Sequence, residues 1–366
     1  MLKCSYKIPP LPLDVDVESK AVLKSVAAAY RALSDLRRQA AKVPNQGILI
    51  DTLALQEAQA SSEIENIVTT QDEVFRIGPT TSARLDPRQK EVANYRDSLW
   101  VGHQGLLNTG GLITNNIIIG VFQNLKKNTG GFRNTPGTKL ENEFTKDVVY
   151  VPPQTEAEIS KHMSVLETFI NEPDSCAWDP LVKMAVIHHQ FESIHPFPDG
   201  NGRVGRILNV LFLVQQGLLD SPILYLSRFI TQTKPDYYRL LQAVRDEGAW
   251  EDWILYMLRG VEATALETSD LLSGINHLLF EYKNKLREEH SRIYSHELLN
   301  TMFKHPYTRI EYVVGETGVG RQAAARHLDE LAAAGFLEKT KIGRDNYYIN
   351  VRLVDLFLNR PSMVSQ

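Results

Sequence analysis

Apolar residues recur at three- and four-residue spacing through most of the chain, the pattern of amphipathic helices around a shared core. The first run is VESKAVLKSVAAAYRALSDLRRQAAK, Val17 to Lys42, closed by Pro44-Asn45. The second is DTLALQEAQASSEIENI, Asp51 to Ile67. The same periodicity predicts helices over Arg88–Leu107, Ile113–Lys126, Glu156–Ile170, Pro180–Phe191, Arg203–Gln216, Pro235–Arg245 and Trp250–Thr264. Residues through Pro12 read as an extended arm. One stretch breaks the rule: PGTKLENEFTKDVVYVPP, Pro136 to Pro153, has β-formers on either side of a polar centre and reads as a hairpin.

Beyond Leu266 a helical segment runs into the charged YKNKLREEH and reads as a connector, 266–290. A second unit follows, 291–366: helices over Ser295–Lys304, Arg309–Glu316 and Arg321–Ala334, then two β segments about Gly343-Arg344-Asp345. Three helices and a hairpin predict a winged helix-turn-helix. The fold class is therefore mainly α with one small hairpin. Its expected parts are an N-terminal helical region (1–87), a helical core (88–265), the connector and the winged unit.

Composition narrows the function classes only slightly. The 366 residues carry a formal net charge of −4, which argues against a polybasic nucleic-acid or membrane binder. The two cysteines, Cys4 and Cys176, have no metal-ligand spacing and form no disulfide framework. The most apolar stretch, ILNVLFLV (Ile207 to Val214), is too short to span a bilayer. The first residues lack the apolar run of a signal peptide. The expectation is a soluble cytoplasmic protein with no membrane partner.

Chemistry is concentrated in HPFPDGNGRVGR, His195 to Arg206. Pro196 and Pro198 force a loop. Gly200 and Gly202 let its backbone approach a ligand closely. The helix that follows offers unpaired amides and a positive dipole end, so the junction suits an anion. Arg203 and Arg206 lie three apart on the first turn and suit phosphate oxygens. Asn201 is placed to hydrogen-bond a phosphate. Asp199 is the lone carboxylate, as Mg²⁺ shared with a nucleotide requires. His195 is the one group here that accepts a proton near neutral pH. Polyphosphate, Mg²⁺ and a histidine base is the reading these residues give. A metal-hydrolase reading would recruit His188 and His189. Adjacent residues on a helix point about 100° apart, however, and lack the i, i+4 spacing of a zinc helix.

His195, Phe197, Asp199, Gly200, Asn201, Gly202, Arg203 and Arg206 resemble, position for position, the signature of the Fic (filamentation induced by cAMP) family. The resemblance extends over roughly Gln46 to Leu258 and implies a Fic-type helical core. It also implies protein adenylylation: AMP passes from ATP to a Ser, Thr or Tyr hydroxyl of a target protein, and pyrophosphate leaves. On this resemblance His195 is the base and Asp199 holds Mg²⁺. Gly200, Asn201, Gly202 and the Val204 region hold the inner phosphates, while Arg203 and Arg206 take the outer ones. Asp199 matches the adenylylating pattern, from which Doc-type relatives depart. The 136–153 hairpin resembles the family's target-docking flap. Tyr237, or Tyr238 beside it, and Gln190 are candidates to face the adenine, with core packing the alternative.

The stretch ASSEIENI places Glu65 at a helix C-terminus, where an acid is electrostatically unfavourable. Ser61-x-x-x-Glu65-Asn66 resembles the family's inhibitory motif. That implies a Glu65–Arg206 pair that keeps ATP from binding productively, and in some relatives the same glutamate serves the removal of AMP. In the winged unit Arg321, Arg326, Lys339, Lys341 and Arg344 are candidate DNA contacts, diluted by Asp329, Glu330, Glu338 and Asp345. The alternative function is a nucleotide-sensing, DNA-binding regulator. ATP and Mg²⁺ are the expected cofactors. A target protein, DNA and a second copy of the chain are the expected partners.

Overall fold

The computed structural model describes residues 6–77, 85–141, 145–172, 176–360 and 363. Local sequence starts the first helices. The Ser19 hydroxyl accepts from Val22 N to open α1 (Lys20–Ala40), and Asn45 opens α2 (Gln46–Ile64) on Gly47 N. Reciprocal capping boxes open α3 (Gln71–Phe75; Thr70 and Glu73) and α4 (Pro87–Asn108; Asp86 and Gln89). After α5 (Asn115–Lys126) come β1 (Leu140–Glu141) and β2 (Val148–Tyr150), paired antiparallel with Leu140 opposite Tyr150. This is the hairpin predicted within 136–153; residues 142–144 lie outside the described residues.

The chain continues through α6 (Glu156–Asn171), α7 (Pro180–Ile194), α8 (Asn201–Gln215), α9 (Ser227–Gln232) and α10 (Lys234–Glu247). Every residue of α7 from Leu181 to Ile194 is buried, so this helix is the axis of the core. α8 packs against it. The predicted boundary at 265/266 falls inside one forty-residue helix, α11 (Trp250–Glu289). Gly260 is buried within the helix and no proline occurs between Trp250 and Glu289, so nothing stops the helix where the charge pattern changes. α1 lies along α11, and Trp253 Nε1 donates to the Ala185 carbonyl at 2.8 Å, fixing α11 to α7.

The C-terminal unit contains α12 (His296–Lys304), β3 (Tyr307–Thr308), α13 (Ile310–Thr317), α14 (Arg321–Ala333), β4 (Glu338–Ile342), β5 (Asp345–Ile349) and α15 (Val351–Leu358). Its antiparallel sheet has the order β3-β5-β4, so β3 adds a strand to the two predicted. α15, also absent from the sequence reading, folds back on α11; a Cβ on Gly274 would meet Leu356 at 3.1 Å.

This unit grips the N-terminal region. The Tyr307 hydroxyl donates to Asp72 at 2.5 Å, and Arg360 Nη2 donates to Gln56 Oε1 at 2.8 Å. Phe75 lies between the rings of Tyr307 (6.1 Å between centroids) and Phe357 (5.3 Å) and is 5% exposed. Phe75→Ala should therefore destabilise the protein by about 3–5 kcal/mol. Denaturant unfolding checks this, and a change within the error of the parent's midpoint would contradict the packing.

Candidate active site

The sequence HPF ends α7 in an unusual way. His195 caps the helix in the left-handed region, φ 49° and ψ 59°, and its N–H donates to the Phe191 carbonyl at 2.9 Å. A non-glycine residue held there costs about 1 kcal/mol or more, so the surroundings must hold it. Phe197 anchors the loop: its ring stacks on Phe122 at 4.1 Å and touches Phe132 and Phe191. Gly200, at φ 80°, then turns the chain into α8 with no side-chain cap. The first amides of α8 thus present the donors that an anion needs.

Asn201 does a different job from the one expected. It is 2% exposed, accepts from Phe197 N at 2.8 Å and donates to the Phe197 carbonyl at 2.7 Å. Both ends of its amide close the loop, so its role is to shape the anion site.

Arg206 is 2% exposed and held by α2. Its Nε donates to Ser61 Oγ at 2.8 Å, and its Nη2 donates to the Ser61 carbonyl at 3.0 Å and to Glu65 Oε1 at 2.9 Å. Burial disfavours its charge, but Glu65 outweighs that, and its pKa stands above the ordinary arginine value. Glu65 caps α2, and Asn66 follows in the left-handed region at φ 62°. Ile67 N reaches back to the Ser62 carbonyl at 2.9 Å. An asparagine suits this position, because asparagine and glycine take the left-handed turn most readily. Glu65 Oε1 also lies 2.6 Å from where a Cβ of Gly202 would stand. A carboxylate oxygen therefore rests on the glycine at the α8 N-terminus, on the spot suited to a phosphate oxygen.

Arg203 is buried and ion-paired with Glu91, with Asp199 3.6 Å away. Burial lowers its pKa. Asp199 is exposed at the rim, accepts from Lys126 Nζ at 2.7 Å and bonds its own loop through Gly200 N. Lys126 also faces Glu91 at 3.6 Å, so two acids and two bases form one network. Glu91 and Lys126 were not singled out in the sequence. Their only signal there is a charge on the inner side of helices α4 and α5.

His195 is half-buried at the opening, and its Nδ1 has no hydrogen-bond partner among the described residues. Burial, then the Arg133 and Arg245 guanidiniums, push its pKa down to about 4. At neutral pH the imidazole is unprotonated and ready to accept a proton.

Two of the three candidates to face the adenine are turned into the core. Tyr237 is 2% exposed, with its hydroxyl 2.8 Å from His188 Nε2. Gln190 is 1% exposed, and its amide donates to the Pro9 carbonyl at 2.9 Å, pinning the N-terminal arm. Both belong to the core, because α7 is enclosed on every side. Tyr238 alone of the three is exposed, at 43%. His188 and His189 are fully buried, bonded to Tyr237 and Asn209 and to the Leu241 carbonyl respectively. Burial pushes the His188 pKa down to about 3. They pack as core residues, and no cluster of three or more metal-ligating side chains occurs among the described residues.

In the C-terminal unit Arg321, Arg326, Lys341 and Arg344 are exposed, and Arg321 faces Glu311 at 3.7 Å. Lys339 is paired with Asp329 at 2.6 Å. Among the described residues no helix is long and apolar enough to cross a membrane.

Three family models match the chain: Fic/DOC family N-terminal over residues 23–104, Fic/DOC family over 113–213, and protein adenylyltransferase SoFic-like, C-terminal domain, over 278–353. A probable protein adenylyltransferase of Aquifex aeolicus is 28% identical over 179 residues, 47% of this chain and 51% of that protein. The protein adenylyltransferase Fic of Culex quinquefasciatus is 31% identical over 125 residues, 33% of this chain and 24% of that protein. The chain thus spans about half of the first relative and about a quarter of the second. A Fic family protein from Desulfovibrio desulfuricans superposes with a TM-score of 0.57 at 17% identity, covering 93% of this chain and 98% of the other. Fic-1 of Caenorhabditis elegans gives 0.51 at 18% identity, covering 68% and 73%. These two structures share the fold.

Proposed function

Since the chain belongs to the Fic/DOC family, we propose that it is a self-inhibited protein adenylyltransferase, moving AMP from ATP to a Ser, Thr or Tyr hydroxyl of a target protein. One observation carries this reading. An imidazole unprotonated at neutral pH, a helix N-terminus without a side-chain cap and a buried guanidinium converge on one loop, and a glutamate oxygen stands on the loop's anion site.

The residues present fit ATP. The α8 N-terminal amides and Arg206 bind phosphate oxygens once Glu65 withdraws. Arg203 lends charge from below, through a buried guanidinium whose Nε has no hydrogen-bond partner among the described residues. Asp199, a single rim carboxylate, fits Mg²⁺ that takes its other ligands from phosphates and water. Bound there, Mg²⁺ would neutralise phosphate charge. Lys126 would then turn from Asp199 toward Glu91.

His195 takes the proton of the acceptor hydroxyl. That oxygen attacks the α-phosphorus, its bond to pyrophosphate breaks, and the proton rests on the imidazole. The β1–β2 hairpin aligns the target backbone by strand pairing. In the resting chain Glu65 holds Arg206, so ATP lacks the contact that orders its outer phosphates. The same carboxylate, beside the loop, is placed to orient a water for AMP removal. Decay of label from a purified adduct on adding the parent chain, but not Glu65→Gly, tests that activity.

The pKa of His195 sets the pH dependence. The base form is present above about 4 and is lost as the pH falls through that value. Transfer by Glu65→Gly should be flat from pH 8 to about 6 and fall in acid. An acid limb centred near the ordinary histidine value, about 6.5, would contradict the buried, cation-flanked setting. [α-³²P]ATP labelling of a lysate from the source cell tests the activity itself: label should enter protein with Glu65→Gly and be absent with His195→Ala.

A further inference from the structure

One arginine that neither the motif nor the family comparison singles out is attached to three parts of the site at once. Arg133 precedes the β1–β2 hairpin and is 3% exposed. Its backbone N–H donates to the Pro196 carbonyl at 2.8 Å, and its Nε donates to the His195 carbonyl at 2.8 Å. Its Nη2 donates to the Pro153 carbonyl at the hairpin's exit. The hairpin is also bonded to the same place through the Tyr150 hydroxyl, which donates to the Ser193 carbonyl at 2.9 Å.

The Ser193, His195 and Pro196 carbonyls belong to the C-terminal turn of α7 and the residues just after it, where helix carbonyls lack partners and a cation is favoured. They also flank the residue held at φ 49°. A left-handed histidine keeps one orientation only if its neighbours over-determine it. Arg133 supplies that restraint from the entry stem of the hairpin while gripping the exit stem.

We propose that Arg133 is a positioning residue for AMP transfer: one guanidinium sets the target-docking hairpin and the His195 backbone in a single frame, so docking the target aims its hydroxyl at the base. This rests on the proposed function for the reaction, though the mechanical coupling itself does not. Lysine carries the charge but reaches only one carbonyl at a time, and glutamine carries neither the charge nor the fork.

The test uses the full chain carrying Glu65→Gly, with Arg133→Lys or Arg133→Gln added. Self-labelling from [α-³²P]ATP should fall on the order of a hundredfold in both variants, the size of an ångström-scale misplacement. The dissociation constant for Mg·ATP should stay within about threefold, as Arg133 has no contact with Arg203 or Arg206 among the described residues. The charged groups facing His195 are Arg133, Arg245 and Glu65, with the Glu192 carbonyl beside the ring. With Glu65 removed, Arg133→Gln takes away a cation, so the acid limb should move to higher pH, whereas Arg133→Lys should leave it in place. Labelling within threefold of the parent, or nucleotide affinity falling in step with rate, would overturn the proposal.

Hydrogen exchange separates this inference from the function it rests on. If Glu65→Gly transfers no AMP, the functional reading fails. The coupling is then decided by the amides of residues 148–150 and of His195 and Phe197. Arg133→Gln should release both groups together, and release of one without the other would refute a shared frame.

Discussion

The Glu65→Gly chain should transfer AMP on the order of a hundredfold or more faster than the parent, the scale of restoring one preorganised donor to a transition state. The expectation follows from two oxygen positions. Glu65 Oε1 takes Arg206 Nη2 at 2.9 Å, and the same atom crowds Gly202 at the head of α8. Removing the carboxylate frees both the guanidinium and the amides. Ser61 still holds Arg206 Nε at 2.8 Å, so the arginine stays aimed at the loop. Nucleotide-free Glu65→Gly should also unfold at a lower temperature than the parent, because a buried guanidinium has lost its counter-charge. Mg·ATP should restore the difference. The initial rate of label incorporation reads the first effect. Equal rates for the two chains would mean that something other than Glu65 limits Arg206.

His195→Ala should lower transfer by about a thousandfold in that same background, within the range for losing a general base. Nucleotide affinity should change little, since the phosphate contacts come from α8. The split matters more than the loss itself. A collapsed loop would weaken binding and transfer together, whereas a missing base affects transfer alone. Filter binding of Mg·ATP beside the labelling rate separates them. A His195→Ala protein with substantial transfer would remove the imidazole from the mechanism.

Much of this was legible in the sequence, for identifiable reasons. Helices with strong caps and clear periodicity, such as α4 with Asp86, Pro87 and Gln89, lie within a residue or two of their predicted limits. The short α3 and α9 have too few residues to show a period. The change in composition at 265/266 is no stop signal for the backbone, so α11 runs through it as one helix. The HPFPDGNGR loop was recognisable because its chemistry is dense. The division of labour within it was not. Asn201, Gln190 and Tyr237 have side chains apt for a nucleotide, yet burial commits them to the loop, the N-terminal arm and His188. Burial depends on what packs from distant segments, and a local pattern does not contain that. Arg133, Glu91 and Lys126 carry no local signal for the same reason, since their partners lie far along the chain.

The most direct measurement is parallel incubation of the Glu65→Gly chain with ATP labelled at the α- or the γ-phosphorus. Label from the α position alone, bound covalently to protein and lost on adding His195→Ala, is the predicted result. Label from the γ position, or none from either, would contradict AMP transfer at this loop.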